Sequence, residues 1–292
     1  MSKLKSLAVL SAVSFRTDLI ERQLKNYHLS HGDDAIHFLH VASDGDINAD
    51  SLEKIPGINV NASSSEYKTS NLCNFGGQIA NSKRLFSSSH AHDIEYVYIH
   101  TDADLIIQGN LLEFVKKKKC AYLQQKPVPA WPHYNRMMND PCFSDLRAYF
   151  NISADEIVMG RQEGAFFPAD LWKEMSFHFE KFYKPDFFKQ KDLLWPVEEG
   201  IVPTLANRLI KENYSEYKST TPNIVVTKPL KPTSDGKDPR DVSENCVKIE
   251  DINTEITKHS SDSCIAMKWF ARIIDDPAAK YANHLLIRNS VV

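Results

Sequence analysis

The chain has 292 residues, of which 42% are hydrophobic and 25% are charged, a balance typical of soluble globular proteins. Its formal net charge of −3 gives no general attraction to nucleic acid, so no nucleic-acid partner is expected. The five cysteines are scattered without any Cys-x-x-Cys spacing, which argues against a disulfide framework and favours a reducing compartment.

The beginning of the chain alternates short apolar runs with a helical pattern. Residues 7–13 predict a first strand, and residues 18–29 predict a helix with Thr17 as its N-cap. Residues 35–41 predict a second strand and residues 58–60 a short third one. This alternation predicts an α/β fold with a mostly parallel sheet. Ligands of such sheets bind beyond the carboxyl ends of the strands, so the segments that follow these strands should meet at one crevice.

The next helical pattern covers residues 74–89 and carries Gly76 and Gly77 near its start. The two glycines suit either the close approach of a ligand to the backbone or tight packing. Lys83 on the same helix is a candidate phosphate ligand, and a solvated helix face is the alternative.

The most informative stretch covers residues 95–107, where an apolar strand pattern runs into Asp102-Ala103-Asp104. Two carboxylates two residues apart at a strand end project to the same side, and buried together they repel each other unless a cation lies between them. Mg²⁺ takes one or two protein carboxylates and completes its octahedron with phosphate oxygens and water. We therefore predict that Asp102 and Asp104 bind a divalent cation with a diphosphate. An acidic turn between two strands is the alternative.

The second half of the chain contains a candidate ligand-binding loop. Residues 110–119 predict a short helix, residues 121–123 a strand, and residues 169–182 an aromatic-rich helix. The stretch 126–141 lacks periodicity and is either a structural loop or a loop that stacks on a sugar ring. The side chains suited to such stacking are Trp131, His133 and Tyr134.

Two adjacent acids, Glu198 and Glu199, lie between apolar residues ahead of a helix predicted to begin at Thr204. Adjacent residues of an extended segment point to opposite sides. One glutamate should therefore face the crevice while the other faces solvent or a basic partner. Upstream, residues 157–160 and 165–168 predict two strands joined by a polar turn.

The C-terminal region contains a late predicted strand over residues 223–226 and a basic segment over residues 265–282. Lys268 and Arg272 in this segment are four residues apart, so on a helix they would share one face. Such a face could close over a diphosphate, and a solvated face is the alternative. No internal repeat or linker is visible, which favours a single domain.

In these features the chain resembles the GT-A-type glycosyltransferases. The resemblance rests on the N-terminal α/β half, the strand that leads into Asp102-Ala103-Asp104, the segment Gly160 to Gly164, and the Glu198-Glu199 pair. The layout is similar to bacterial transferases that build surface polysaccharides such as lipopolysaccharide or capsule. It is more distantly similar to branching N-acetylglucosaminyltransferases, most of which lack the Asp pair.

The resemblance implies one GT-A-like, Rossmann-related domain over residues 1–292, with a mixed, mostly parallel central sheet flanked by helices. It implies a nucleotide-sugar-binding half over residues 1–107, and an acceptor-binding half with a C-terminal closing segment over residues 108–292. The implied reaction moves a hexosyl or N-acetylhexosaminyl group from a nucleoside-diphosphate sugar, with a UDP-sugar favoured, to a hydroxyl of a glycan or glycolipid. Mg²⁺ or Mn²⁺ would assist through Asp102 and Asp104.

The resemblance also implies roles for individual residues. In inverting members a carboxylate late in the domain deprotonates the acceptor hydroxyl, and by position this is Glu198 or Glu199, with Glu199 preferred. In a retaining enzyme the glutamates would bind the acceptor instead. The implied contacts to nucleotide and diphosphate are Ser14, Arg16, Thr17, Asp44, Lys83, Asp102, Asp104, Lys268 and Arg272. The implied acceptor contacts are Trp131, His133, Tyr134, Arg161, Gln162 and Glu163.

Three alternatives remain at this point. A haloacid-dehalogenase-like phosphatase also places Asp-x-Asp after an apolar strand, although normally near the chain start. A metal-dependent hydrolase would use a histidine-rich set, namely His90, His92, Asp93 and His100. A carbohydrate-binding protein with a degenerate site needs no catalysis. For the enzyme we expect a cytoplasmic location, with at most peripheral association with the inner face of a membrane, because no apolar run reaches spanning length.

Overall fold

The computed structural model describes residues 5–13, 16–42, 47–70, 73–101, 104–226, 238–242, 245–260 and 263–290. Within these ranges the strands are β1 (Leu7–Val13), β2 (Ala35–Val41), β3 (Val60–Ser63), β4 (Tyr96–Ile99), β5 (Asp104–Gln108), β6 (Phe166–Pro168), β7 (Ile224–Val225) and β8 (Ile265–Lys268). The helices are α1 (Thr17–His31), α2 (Ala49–Glu53), α3 (Phe75–Ser87), α4 (Leu111–Lys118), α5 (Tyr134–Met138), α6 (Pro141–Tyr149), α7 (Ala169–Phe182), α8 (Val197–Glu212), α9 (Ile249–Lys258) and α10 (Pro277–Ser290).

The central sheet has the strand order β3-β2-β1-β4-β6. Strands β1 to β4 pair in parallel, and β6 pairs antiparallel with β4. Helices cover both faces of β1: Leu10 packs in one core with α3 and α7, and Val9 packs in another with α1 and β5. Burial on both faces explains why β1 is an almost continuous apolar run. The predicted α/β fold with a mixed, mostly parallel central sheet is confirmed.

A second, smaller sheet has the order β5-β8-β7. The chain leaves the central sheet after β4, and β5 pairs antiparallel with β8 from the C-terminal region. Asp104 lies directly opposite Lys268 in this ladder. Strand β5 also spans the boundary predicted at residue 107, so residues from both predicted halves build the neighbourhood of Asp104.

Helix α8 begins earlier than the sequence predicts. It starts at Val197, not at Thr204, and has Pro203 in its interior. A proline has no N–H to bond the carbonyl four residues earlier, which here is that of Glu199. The Gly160 N–H donates to the Glu199 carbonyl instead, at 2.8 Å. This replacement bond lets the helix run through the proline.

The basic C-terminal segment also differs from its prediction. Residues 265–268 form strand β8, and α10 begins only at Pro277, where a proline at the first helical position costs no hydrogen bond. Lys268 and Arg272 therefore do not share a helix face, and that prediction is wrong.

Two predicted strands in the middle of the chain are reduced to single bridges. Ala121 forms isolated bridges with Phe166 and Thr220, and Gln125 forms one with Met159, so neither residues 121–123 nor residues 157–160 form a strand. At the start of α1, Thr17 is the first helical residue and Arg16 occupies the cap position. The predicted cap at Thr17 is therefore displaced by one residue.

Candidate functional site

A small cleft, about 30 Å³ in volume, opens where β1 and β4 end at their carboxyl termini. Its walls come from these two strands, the start of α3, the polar turn before β6, and the first turn of α8. The residues that line it are Leu10, Ser11, Ala12, Asn74, Gln78, Ile99, His100, Thr101, Gln162, Glu163, Glu198 and Glu199. This is the position at which open α/β sheets bind ligands.

Three buried side-chain oxygens on this cleft have no hydrogen-bond partner within the described residues: Ser11 Oγ, Gln78 Oε1 and Glu198 Oε2. The three residues are only 1%, 5% and 7% exposed. An unpaired buried polar group typically costs about 1–3 kcal/mol, so three on one cleft require an explanation. A polar ligand in the cleft would supply the missing partners.

Glu198 is the most perturbed carboxyl of the cleft. Its Oε1 accepts a hydrogen bond from the Asn74 N–H at 3.1 Å. Burial nevertheless raises the pKa of the Glu198 carboxyl from 4.5 to about 7, because loss of hydration disfavours the charged form.

Glu199 lines the same cleft in a different electrostatic setting. Burial raises the pKa of Glu199, and the neighbouring Arg161 opposes this rise. Both glutamates lie in the first turn of α8, where consecutive residues are about 100° apart around the axis. They therefore both reach the cleft, and the prediction that they face opposite sides is wrong.

Gln162 connects three walls of the cleft. Its Nε2 donates to the Glu198 carbonyl, and its Oε1 accepts from Gln78 Nε2. The side chain is 5% exposed, so its bonds hold the polar turn against α3 and α8. Its predicted contact with an acceptor stays a prediction, while its contribution to the shape of the cleft is direct.

Gly76 and Gly77 serve packing at the start of α3. A Cβ on Gly76 would lie 2.6 Å from the Lys68 carbonyl oxygen, and one on Gly77 would lie 2.8 Å from Ala12 Cβ. Neither distance is tolerated by real side chains. Of the two interpretations of the glycine pair, the structure favours tight packing.

Asp104 is fully buried, and its carboxylate is turned toward its own loop. Oδ1 accepts from Thr101 Oγ1 at 2.7 Å, while Oδ2 accepts from the Thr101 N–H at 3.2 Å and from the Tyr27 hydroxyl at 3.4 Å. The Gln23 side chain donates to the Asp104 carbonyl at 2.9 Å. Helix α1 thus holds the start of β5 beside the cleft.

The described residues do not by themselves form a metal site. Across these ranges no group of three or more His, Cys, Asp or Glu side chains is placed to hold a metal ion, and both oxygens of Asp104 already accept hydrogen bonds. Asp102 lies outside the described residues. The predicted role of Asp102 and Asp104 as metal ligands therefore stays a prediction.

Two cations predicted to bind the diphosphate already have acidic partners. Lys268 forms a buried ion pair with Glu163, and its Nζ lies 4.3 Å from the centre of the Trp269 ring. Arg272 pairs with Asp238 at 3.0 Å. Binding a phosphate would require these side chains to share or exchange their partners.

Arg16 is brought to Arg272 although the two are far apart in sequence. The Arg16 guanidinium donates to the Arg272 carbonyl at 2.8 Å and pairs with Asp18. This contact joins the residue that precedes α1 to the C-terminal segment, and the closing role predicted for that segment stays a prediction. Lys83 pairs with Glu180 on α7 at 2.8 Å and is not among the described residues that line the cleft, so its predicted contact with a phosphate stays a prediction.

The predicted aromatic acceptor residues lie apart from the cleft lining. Trp131 is half-buried, with its ring centre 6.3 Å from that of Trp195 and 5.3 Å from that of His133. Tyr134 begins α5 and packs on the main core. Stacking of these rings on a sugar stays a prediction. The predicted contacts Ser14 and Asp44 lie outside the described residues.

Several residues of the cleft escaped the sequence analysis. Ser11 lies inside an apolar strand, and polar residues in such runs carry no local signal. Asn74 and Gln78 lie four residues apart at the start of α3, a spacing that places two amides on one helix face. That spacing was the signal available in the sequence.

The structure does not bring together the histidine-rich residues of the metal-dependent hydrolase alternative. His100 is 2% exposed at the end of β4, whereas His90 and Asp93 belong to a surface turn. The described residues contain no group of three or more such side chains that could hold a metal ion.

Among the described residues there is no helix with the length and apolar character needed to cross a membrane.

Comparisons with known proteins give a distant structural likeness only. No family model matches the sequence, and no curated protein matches it. Among solved structures the chain is similar to a 4-diphosphocytidyl-2C-methyl-D-erythritol synthase, with 14% identity, a TM-score of 0.36, and coverage of 66% of this chain and 87% of that chain. It is also similar to the synthase from Anaerococcus prevotii DSM 20548, with 14% identity, a TM-score of 0.37, and coverage of 87% and 96%. At these values the likeness carries no argument about activity.

Proposed function

We propose that this chain is a glycosyltransferase that moves a hexosyl or N-acetylhexosaminyl group from a nucleoside-diphosphate sugar to a hydroxyl of a glycan. The observation that supports this most is the set of three unpartnered, buried oxygens on the cleft, from Ser11, Gln78 and Glu198. A sugar offers hydroxyl groups that both donate and accept hydrogen bonds. A UDP-sugar donor and a surface-polysaccharide or glycolipid acceptor are proposed from the family resemblance alone.

Glu198 is the proposed general base. A carboxyl with a pKa of about 7 is substantially ionised at neutral pH and still basic enough to take a proton efficiently. Its unpartnered Oε2 supports Glu198 ahead of Glu199, which lies beside Arg161 and is proposed to bind the acceptor.

In the proposed reaction, the acceptor hydroxyl gives its proton to Glu198 Oε2 while its oxygen bonds to the anomeric carbon of the donor sugar. The bond from that carbon to the diphosphate oxygen breaks, and its electron pair leaves with the diphosphate. Configuration at the anomeric carbon inverts. In a retaining reaction this base is not needed, so turnover would survive its removal.

Asp102 and Asp104 are proposed to bind Mg²⁺ or Mn²⁺ when a diphosphate is present to complete the coordination. The metal would then supply positive charge for the departing diphosphate. This proposal predicts that the metal binds only weakly without nucleotide. Tight metal binding in the absence of nucleotide would contradict the proposal.

A thermal-shift panel tests the nucleotide requirement. The full chain is heated with UDP, GDP, CDP and their sugars, with and without Mn²⁺, because a ligand that binds the folded state raises the melting temperature. We expect a Mn²⁺-dependent rise with one nucleotide, and its loss in Asp102→Ala. If no nucleotide stabilises the protein, the proposal is wrong. A rise with sugars alone would instead indicate a carbohydrate-binding protein.

Transfer is then followed as release of nucleoside diphosphate in the presence of glycan acceptors. Glu198→Gln should keep the nucleotide-induced shift and lose turnover by roughly 10²–10⁴-fold. Glu216→Gln makes the same charge change at an exposed acid; it is the matched control and should keep turnover. Release that does not depend on any acceptor would indicate a hydrolase.

A further inference from the structure

We propose that a second cavity, lined by one face of α8, binds an anionic sugar. The cavity has a volume of about 500 Å³, within the range of small-molecule sites. Its lining residues are Gln124, Lys126, Ile152, Asp155, Glu156, Val158, Thr204, Asn207, Arg208 and Lys211. None of these also lines the cleft described above.

The periodicity of α8 separates this cavity from the cleft. The helix contributes residues at positions i, i+3, i+4 and i+7 to the cavity, which form one face; they are Thr204, Asn207, Arg208 and Lys211. At about 100° per residue, Glu198 and Glu199 lie on the other side of the same helix. The inference therefore concerns a second site and does not require the proposed transferase activity.

The cavity wall is fixed by hydrogen bonds between its elements. The Thr204 hydroxyl donates to the Val158 carbonyl at 2.8 Å and accepts from the Val158 N–H at 3.1 Å. The Asn207 Oδ1 accepts from the Tyr122 hydroxyl at 2.5 Å. With its oxygen occupied in this way, the Asn207 amide is left with its N–H groups to donate. The site is thus preorganised as a donor surface.

The acidic residues at the cavity are engaged within their own turn. Asp155 Oδ1 accepts from the Ser153 hydroxyl at 2.6 Å. Glu156 Oε2 accepts from the Ser153 N–H at 3.0 Å and competes with Asp155 for the single proton of the Ser153 hydroxyl, 2.9 Å away. These bonds hold both carboxylates close to the turn, with Lys126 and Lys211 beside it.

Three cations line the cavity against two acids, so the lining as a whole carries an excess of positive charge. Lys126 Nζ donates to the Asp155 carbonyl, which is neutral. Lys211 Nζ is 3.6 Å from Glu156, a distance typical of a weak, solvated pair. Arg208 pairs through Nη2 with Glu212 outside the lining, and within the described residues its buried Nε has no hydrogen-bond partner.

An anionic sugar matches this combination of groups. A carboxylate or phosphate would meet the Lys and Arg donors, which form the strongest hydrogen bonds with anions. The sugar hydroxyls would meet the amides of Gln124 and Asn207. Ile152 and Val158 provide an apolar patch for the C–H faces of the ring.

Binding is measured by calorimetry on the full chain without nucleotide, so the result does not depend on the proposed transferase function. The carboxylate probe is trigalacturonic acid, with its trimethyl ester as the matched neutral ligand. The phosphate probe is glucose 6-phosphate, with glucose as its neutral counterpart. The variant Lys126→Gln/Lys211→Gln removes two exposed cations, and Lys116→Gln/Lys117→Gln on the exposed end of α4 makes the same charge change elsewhere.

We expect at least one anionic probe to bind, with its neutral counterpart roughly tenfold weaker, which corresponds to about 1.4 kcal/mol. The Lys126→Gln/Lys211→Gln variant should lose a similar factor, and the α4 variant should bind as the unmodified chain does. Which probe binds identifies the anionic group. The proposal is overturned if neither anionic probe binds, if neutral and anionic probes bind equally, or if both lysine variants weaken binding to the same degree.

Discussion

Replacing Glu198 by glutamine should remove a loss of folding stability that the wild-type chain undergoes as the pH rises. The substitution also removes the proposed base. The pKa of this carboxyl is about 7 in the folded chain, against an ordinary 4.5. Between these two pH values the folded state holds a proton that the unfolded chain has lost. Stability therefore falls as pH rises from about 4.5 to about 7, and it stays low above that range.

The expected magnitude follows from the same two values. A pKa raised from 4.5 to about 7 corresponds to about 3 kcal/mol at 1.36 kcal/mol per unit. The wild-type chain should bear nearly all of this cost at pH 8 and roughly 1 kcal/mol or less at pH 5. Glutamine is neutral at every pH in this range, so the variant does not have this cost of ionisation. Its amide nitrogen, in place of the unpartnered Oε2, adds a cost of about 1–3 kcal/mol that does not vary with pH.

The quantity to measure is therefore the difference in unfolding free energy between Glu198→Gln and wild type at several pH values. Urea unfolding followed by tryptophan fluorescence at pH 5, 6, 7 and 8 gives it directly. The difference should shift by roughly 2–3 kcal/mol in favour of the variant between pH 5 and pH 8. Glu216→Gln, at an exposed acid, is the control and should show no such trend. A difference that is flat with pH, or that moves toward the wild type, would refute the burial argument.

Two further substitutions test the supports of the cleft. Gly160→Ala would place a Cβ 2.4 Å from Leu123 Cβ and should lower the unfolding free energy by roughly 1–3 kcal/mol; an unchanged urea midpoint would contradict the close contact. Lys268→Met leaves Glu163, whose side chain is 14% exposed, without its cation and should cost up to about 3 kcal/mol, less than for a fully buried pair. The double variant Lys268→Met/Glu163→Leu should recover much of that loss in the same urea assay, and a double variant less stable than the single one would contradict this account.

The parts of the fold that the sequence predicts are those governed by local patterns. The four parallel strands and the long helices α1, α3 and α7 each carry a periodicity that residues within the element determine. The start of α8 depends on a distant residue instead: the Gly160 N–H satisfies the Glu199 carbonyl that Pro203 leaves unbonded. A reading of the local sequence stops at the proline and misses the preceding turn.

The residues of the candidate site also fall into those that local sequence patterns predict and those that depend on distant contacts. Glu198, Glu199 and Gln162 meet at the cleft because strand ends and helix starts converge there, as a parallel sheet requires. Ser11 and Gln78 were missed, since their polar character matters only after burial removes their water. Lys268 was assigned to a helix because its pairing with β5 is a long-range contact that no local pattern contains.

The pairing of β5 with β8 bears on the order in which the protein can be assembled during synthesis. Strand β5 leaves the ribosome long before β8 does, so for most of translation an apolar strand has no partner beside it. Such edges invite pairing with other chains, and contacts that span much of the chain form slowly. Asp104 gains its ladder partner Lys268 only when residues 265–268 have been made. A ribosome-stalled or truncated product that lacks these residues would leave β5 without its partner β8 in the smaller sheet.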